Sequence, residues 1–318
     1  MKATAEEAIR DLLGRKDLNL ALGSSERFEY EKIPFSIPAL DKLTGGGVPR
    51  KRLTLIYGAT NVGKSYLTSQ IVASAQSVGG LAAWIDTELS WDGRWMAKCG
   101  VDTEKVIVSQ PTSGEEALEV CRAFLEAGVD IVVLDSVAGL VPSAVMDEQF
   151  GYNPMAWQAR FVNSSLPKLL PHLKNGSALV LINQVRASLG PVALDNMPGG
   201  IGQTFFAHNL LQVRRNSWID EKGPGNTKIR VGFEMEVRLR KTKVGGENWN
   251  SAIVPFKVDG GFDVLESFIR EAIELGIVNQ AGAWYTYGTI KEQGMPNFKS
   301  TLLATEGAVD KLRNDVSP

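Results

Sequence analysis

Gly58-Ala59-Thr60-Asn61-Val62-Gly63-Lys64-Ser65 fits the pattern G-x-x-x-x-G-K-[ST]. It lies directly between an apolar run, residues 53–57, and a segment with Leu67, Ile71 and Val72 at helical spacing. A strand, a glycine-rich turn and a helix N-terminus in that order curl backbone N–H groups around a phosphate and add the helix dipole, so a βα unit of an α/β sheet is required here. Lys64 is placed to reach the terminal phosphates and the Ser65 hydroxyl to ligate Mg²⁺. A glycine-rich turn that matches by accident is the competing explanation, and the strand and helix flanks argue against it.

Such a loop needs two further groups: a carboxylate for Mg²⁺, and a base or orienting group for the attacking water. Asp135 meets the first need. It ends the run Ile131-Val132-Val133-Leu134, which puts a carboxylate at the C-terminal edge of a buried strand, where ligands bind in open α/β sheets. Taken alone, an Asp after apolar residues is more often a turn residue; the upstream phosphate loop reverses that expectation. For the base, Glu88 stands two residues beyond the run 81–86, and Asp86, at the end of that run, is the alternative that spacing leaves open. Gln184 closes a further run after Leu181-Ile182-Asn183. A neutral amide there can bond a γ-phosphate without adding charge, or simply lie at the surface.

The apolar runs at residues 53–57, 81–86, 106–109, 131–135 and 178–183 alternate for the most part with helical patterns, which implies a mostly parallel sheet covered on both faces. After Phe205 longer strands are expected: Ile229, Val231, Phe233, Met235, Val237 and Leu239 alternate with polar residues or glycine, as in a half-exposed strand. A turn signal at Asp259-Gly260-Gly261 precedes a predicted helix over 264–275, capped by Gly276, and a small C-terminal domain. At the other end, Thr4 and Glu7 have capping-box spacing ahead of Ile9, Leu12 and Leu13. So short a helix needs a core to cover its apolar face, more commonly that of its own domain, otherwise a neighbouring subunit.

The remaining exclusions come from composition. With 318 residues, 44% hydrophobic and 22% charged, the chain can bury a sizeable core with appendages. Lys+Arg 34 against Asp+Glu 36 creates no global positive field, so any nucleic-acid surface must be local. The two cysteines, Cys99 and Cys121, lack zinc or disulfide spacing. No run approaches a membrane span and no leader is recognisable at the start, so a reducing, cytoplasmic setting without membrane attachment is expected.

The blocks Gly58 to Ser65, Trp84-Ile85-Asp86-Thr87-Glu88, Ser109-Gln110-Pro111, Leu134-Asp135-Ser136-Val137, Ile182-Asn183-Gln184-Val185-Arg186 and Gly282-Ala283-Trp284-Tyr285 occur in this order. In this the chain resembles bacterial RecA recombinases, over about residues 33–287. The phosphate loop alone would name only a superfamily, whereas the Asn-Gln-x-Arg block before a Gly-rich loop and the Gly-Ala-Trp-Tyr block are far more specific. The resemblance implies an α/β fold: a RecA-like P-loop ATPase core with a mostly parallel central sheet at 40–259, an N-terminal helix/strand oligomerisation arm at 1–39, and a small α+β C-terminal domain at 260–318. It implies ATP and Mg²⁺ as cofactors, Glu88 rather than Asp86 as the catalytic carboxylate, and Gln184 as a switch between γ-phosphate and DNA loops. Nucleotide contacts fall to Gly58, Ala59, Thr60, Asn61, Val62, Gly63, Lys64, Ser65 and Tyr66, with Asp92 and Trp95 at the adenine; Trp95 keeps the stacking face of the family's usual Tyr without its hydroxyl. Lys241 and Lys243 are implied to reach the ATP of a neighbouring subunit. Without the resemblance, two lysines one residue apart at a strand end read as a solvated face.

Two DNA-binding loops are implied as well, about 148–155 with Met155 at its end and Arg160 just beyond, and 186–203 with Arg186, Gly199 and Gly200. The second has 18 residues with four glycines, two prolines and only Arg186 and Asp195 charged, too little to order itself. Departures from the family pattern are Pro167 in place of a usual basic residue, which shifts phosphate contacts to Arg160 and Lys168, and Thr204 in place of a usual lysine. The acidic C-terminal tail common in the family is also missing. The expected activity is ATP-dependent homologous pairing and strand exchange by a homo-oligomeric helical filament on single-stranded DNA acting on double-stranded DNA. Loading or mediator proteins are open as partners, as is a nucleoid location, in host cytoplasm if phage-encoded. Alternatives are a hexameric helicase or motor with the same core, and a nucleotide-dependent DNA-binding assembly protein without strand exchange.

Overall fold

The computed structural model describes residues 4–15, 17–18, 20–146, 155–185 and 197–316, which form two compact units, Met1–Glu31 and Lys32–Pro318. In the first, α1 (Ala5–Gly14) starts on the predicted capping box: Glu7 N donates to Thr4 Oγ1 and Thr4 N to Glu7 Oε2. Ile9 and Leu12 are exposed.

The second unit is built on a nine-stranded sheet. In chain order its strands are β3 (Leu53–Gly58), β4 (Ala82–Asp86), β5 (Val106–Ser109), β6 (Ile131–Asp135), β7 (Ala178–Gln184), β8 (Asn209–Lys222), β9 (Lys228–Thr242), β10 (Ser251–Lys257) and β11 (Gly261–Phe262). Across the sheet they run β11-β10-β9-β8-β3-β7-β6-β4-β5. From β8 to β5 every pairing is parallel, and from β8 to β11 every pairing is antiparallel. The central strands β3, β4 and β6 are buried along their whole length, as near-continuous apolar runs require.

One face packs on α3 (Lys64–Ser77), with Leu67, Ile71 and Val72 in a core that also takes in Phe233, Met235 and Phe256. The other packs on α5 (Gly114–Glu126) and α7 (Met155–Leu169). Pro167 lies inside α7 and offers no N–H to the turn before it.

The sequence boundaries move at both ends of the core. Ile33, Phe35 and Ile37, inside the predicted arm, are buried in the first core, with β1 (Lys32–Ile33) paired to β2 (Val48–Pro49). Only Lys32–Ile33 is strand, and Ser36 is left-handed, so the surrounding charged residues obscure this buried segment in the sequence; the unit starts at Lys32 rather than 40. At the far end β11 still pairs with β10, which carries the sheet to Phe262, past 259. In β9 the alternation holds from Phe233 to Leu239, while Ile229 is exposed because the β8–β9 hairpin runs beyond the core.

The C-terminal residues have a cluster of their own, with Ile269, Phe298, Leu302 and Leu312 from α9 (Val264–Glu274), α10 (Met295–Ala304) and α11 (Ala308–Val316), and Val278 just ahead of a three-stranded antiparallel sheet. Gly276 takes the left-handed conformation after α9, φ +73, and Ile277 N bonds back to Ala272 O.

Candidate active site

The phosphate loop joins β3 to α3 as the motif requires. Gly58 allows a close approach, since a Cβ there would lie 2.2 Å from the Val213 carbonyl oxygen of β8. Gly63 has φ +94, and a Cβ on it would strike the Met235 side chain. Lys64 is buried, with its ammonium on the Ala59 carbonyl at 2.8 Å. Burial lowers its pKa, opposed by Asp135 and Glu88.

Parallel pairing aligns the strand ends, with Asp86 of β4 beside Asp135 of β6. Ser65 Oγ donates to Asp135 Oδ2 at 2.9 Å. Burial, with the charges of Glu88 and Asp86, pushes the Asp135 carboxyl up to about 7 against the bond from Ser65. A hydroxyl and a carboxylate are hard oxygen donors of the kind Mg²⁺ takes alongside water and phosphate, and a divalent cation would relieve the repulsion at Asp135. Ser65 and Asp135 therefore fit the metal.

Local bonding separates the two base candidates. Asp86 is fully buried and accepts from Trp91 N (2.9 Å), Ser90 N (3.1 Å) and Gln110 Nε2 (2.9 Å). Burial alone would raise its pKa; these donors hold it below the ordinary value. It ties the turn after β4 in place. Glu88 instead lines the cavity, where Ser136 Oγ and Gln184 Nε2 (2.6 Å) both donate to Oε1, leaving Oε2 to accept from a water. Thr87 locks the two strand ends together through Ser136, with Oγ1 donating to Ser136 O and accepting from Ser136 N. Replacing Asp86 with Asn is accordingly expected to cost about 1–3 kcal/mol of stability in urea unfolding while nucleotide binding persists. Unchanged stability with lost turnover would return Asp86 to the role of base.

A cavity of about 540 Å³ opens over these groups, a volume typical of small-molecule sites. Trp95 and Tyr66 line it with ring centroids 5.0 Å apart, and Tyr66 stacks on Phe256 at 4.5 Å. Asp92 caps α4 (Gly93–Lys98), with Arg94 N and Trp95 N both donating to its Oδ1. Lys241 and Lys243 lie toward the opposite end of the strands. Because β9 runs antiparallel to β8, Lys241 falls level with Leu55, and Lys243 bonds beside His208, which in turn bonds Leu53. Gly58 is roughly 10–16 Å further along β3. Their ammonium groups bond carbonyls away from the cavity, Lys241 at Thr204 (2.6 Å) and Lys243 at Phe205 (3.0 Å).

Of the expected DNA contacts, Arg160 and Lys168 are exposed on α7. Residues 147–154 and Arg186 lie outside the described residues, as does the side chain of Met155. Gly199 and Gly200 lie in the described end of the second loop. Both have positive φ; Gly199 is buried against Val137 and Val162, and Gly200 faces Ala159. The end of this second loop is also more ordered than its composition suggests. Asn183 Nδ2 donates to Pro198 O (2.8 Å) and Gln203 Oε1 (2.9 Å), and Gln203 Nε2 donates to Pro198 O and Gly200 O. Asn183 and Ser136 were missed as site residues although both stand in the quoted blocks, each next to a residue that was singled out.

The family model for the RecA N-terminal domain matches residues 3–256. Protein RecA of Aquifex aeolicus is 34% identical over 323 residues, covering 99% of this chain and 92% of the relative. Protein RecA of Heliobacterium modesticaldum is 36% identical over 312 residues (94% and 86%), and that of Chlorobaculum parvum 34% over 344 (99% and 95%).

Proposed function

The chain belongs to the RecA family, and on that premise we propose the role of each residue in an ATP-dependent homologous recombinase with DNA-dependent ATPase activity. Lys64 holds the terminal phosphates and Ser65 and Asp135 hold Mg²⁺, which when bound supplies charge neutralisation at the phosphate oxygens. Glu88, oriented by two donors on one oxygen, positions the attacking water with the other and takes its proton. Trp95 and Tyr66 carry the base. The hydrogen bond from Gln184 to Glu88 carries this reading furthest, because it joins the carboxylate at the γ-phosphate position to the strand end whose next residue back, Asn183, holds Pro198 and Gln203. A γ-phosphate that draws the Gln184 amide away from Glu88 acts on the root of the second loop.

Arg160, Lys168 and Arg186 neutralise the DNA backbone. The filament forms on single-stranded DNA, pairs it with a homologous duplex, and completes each ATP site with Lys241 and Lys243 of the next subunit. Among the described residues no helix is long and apolar enough to cross a membrane. The test is ATP hydrolysis with and without single-stranded DNA, alongside joint-molecule formation between a single strand and a homologous duplex. Stimulated hydrolysis and joint molecules are expected; hydrolysis indifferent to DNA, or closed rings in electron micrographs, would overturn the assignment.

A further inference from the structure

The cavity has a second wall that neither the phosphate loop nor the family blocks account for. Val213 of β8 lies level with Gly58 at the end of β3, so β8 runs on alongside the phosphate loop. Two residues further, Arg215 pairs with Met235 of β9, the residue beneath Gly63, and after a register shift Trp218 pairs with Phe233. Arg215 and Trp218 both line the cavity together with Thr60, Gly63 and Lys64. The guanidinium carbons of Arg215 and Arg230 stand 4.0 and 4.1 Å from the centroid of the Trp218 ring. Both guanidiniums therefore lie in cation–π contact with the indole. Arg230 also pairs with Asp220, whereas the Arg215 guanidinium has no hydrogen bond or ion pair among the described residues.

We infer that Arg215 is a nucleotide-binding residue, contacting the α- and β-phosphates of the chain's own nucleotide, and that Trp218 is its positioning residue. An arginine held against an indole by a cation–π contact keeps its N–H donors free for an acceptor, at reduced entropic cost. The assignment to the inner phosphates follows from the sheet order. Glu88, Asp135 and Gln184 follow or end β4, β6 and β7, on one side of β3; β8 lies on the other. Arg215 therefore stands away from the reacting γ-phosphate, and its contact is the same before and during hydrolysis. Such uniform binding sets KM and leaves kcat alone.

The inference rests on the nucleotide reading of the phosphate loop, and the experiment separates the two. Binding of Mg·ADP is measured by displacement of N-methylanthraniloyl-ADP, and ATP turnover with saturating single-stranded DNA. Arg215→Gln should weaken Mg·ADP binding about tenfold, in line with the loss of a charge-assisted hydrogen bond. It should raise the KM for ATP by a similar factor at unchanged kcat. Trp218→Ala should move both values in the same direction and Trp218→Phe restore most of the loss, because a phenyl face still carries the guanidinium. Arg214→Gln, on the opposite face of β8, should bind Mg·ADP as the unaltered protein does. Equal Mg·ADP affinity for Arg215→Gln and the unaltered protein, or a fall in kcat at constant KM, overturns the inference alone. Failure of the unaltered protein to bind Mg·ADP overturns the nucleotide reading with it.

Discussion

Glu88→Gln is expected to bind ATP nearly as the unaltered protein does and to lose about 10²–10⁴-fold in turnover, the usual weight of a general base. The amide can still accept from Ser136 through its oxygen, so the bonding that orients the side chain survives in part; what is lost is a group able to take a proton. Lys64→Ala should behave differently. It removes the buried ammonium that bonds the Ala59 carbonyl and faces Asp135 and Glu88 across the cavity, and both binding and turnover should fail. Equilibrium binding of ATP and single-turnover hydrolysis, measured on both proteins, distinguish the two outcomes. Full turnover by Glu88→Gln would remove Glu88 from the chemistry.

A Lys241→Ala/Lys243→Ala double variant is expected to lose about 10²–10³-fold in DNA-dependent hydrolysis, the range for donors aimed at developing charge. Its inner-phosphate affinity should stay normal, since neither lysine reaches the cavity of its own chain. Mixed in equal amounts with Lys64→Ala, it should regain activity at about a quarter of the interfaces, those where an intact phosphate loop meets an intact lysine pair in a head-to-tail contact. Specific activity should also rise with protein concentration and DNA length. Absence of rescue in mixtures shown to co-assemble would place the lysines outside any shared site.

What could be read from the residues divides along physical lines. The parallel strands were legible because burial on both faces leaves an unbroken apolar run, and the phosphate loop because backbone curvature, charge and hydroxyl must fall within eight residues. Asp86 and Glu88 were not separable by spacing, since the donors that commit Asp86, from Ser90, Trp91 and Gln110, are set by a turn and by a distant residue. The segment from Ile33 to Ile37 was hidden by its charged surroundings. Arg215 and Trp218 share a face only because the register shifts between Arg215 and Ser217, and a strand read on strict alternation puts them wrongly. The order at the described end of the second loop, residues 197–203, depends on two amides twenty residues apart, Asn183 and Gln203, which composition does not register.

The antiparallel course of β9 also has a kinetic consequence. With the phosphate loop at one end of the strands and Lys241 and Lys243 toward the other, a row of chains joined through these groups would have unlike ends: one offers a nucleotide site with no lysines to complete it, the other a lysine pair with no nucleotide to meet. A row of n chains then holds n − 1 complete sites, where a closed ring would hold n. If Lys241 and Lys243 complete a neighbour's site as proposed, hydrolysis should be suppressed in the terminal chain whose nucleotide lacks a donor and proceed in all the others. On the proposed reading of the lysine pair, that asymmetry would give the row a direction: ATP is retained at one tip, ADP forms in every other chain, and subunits should leave preferentially from the tip that has turned over.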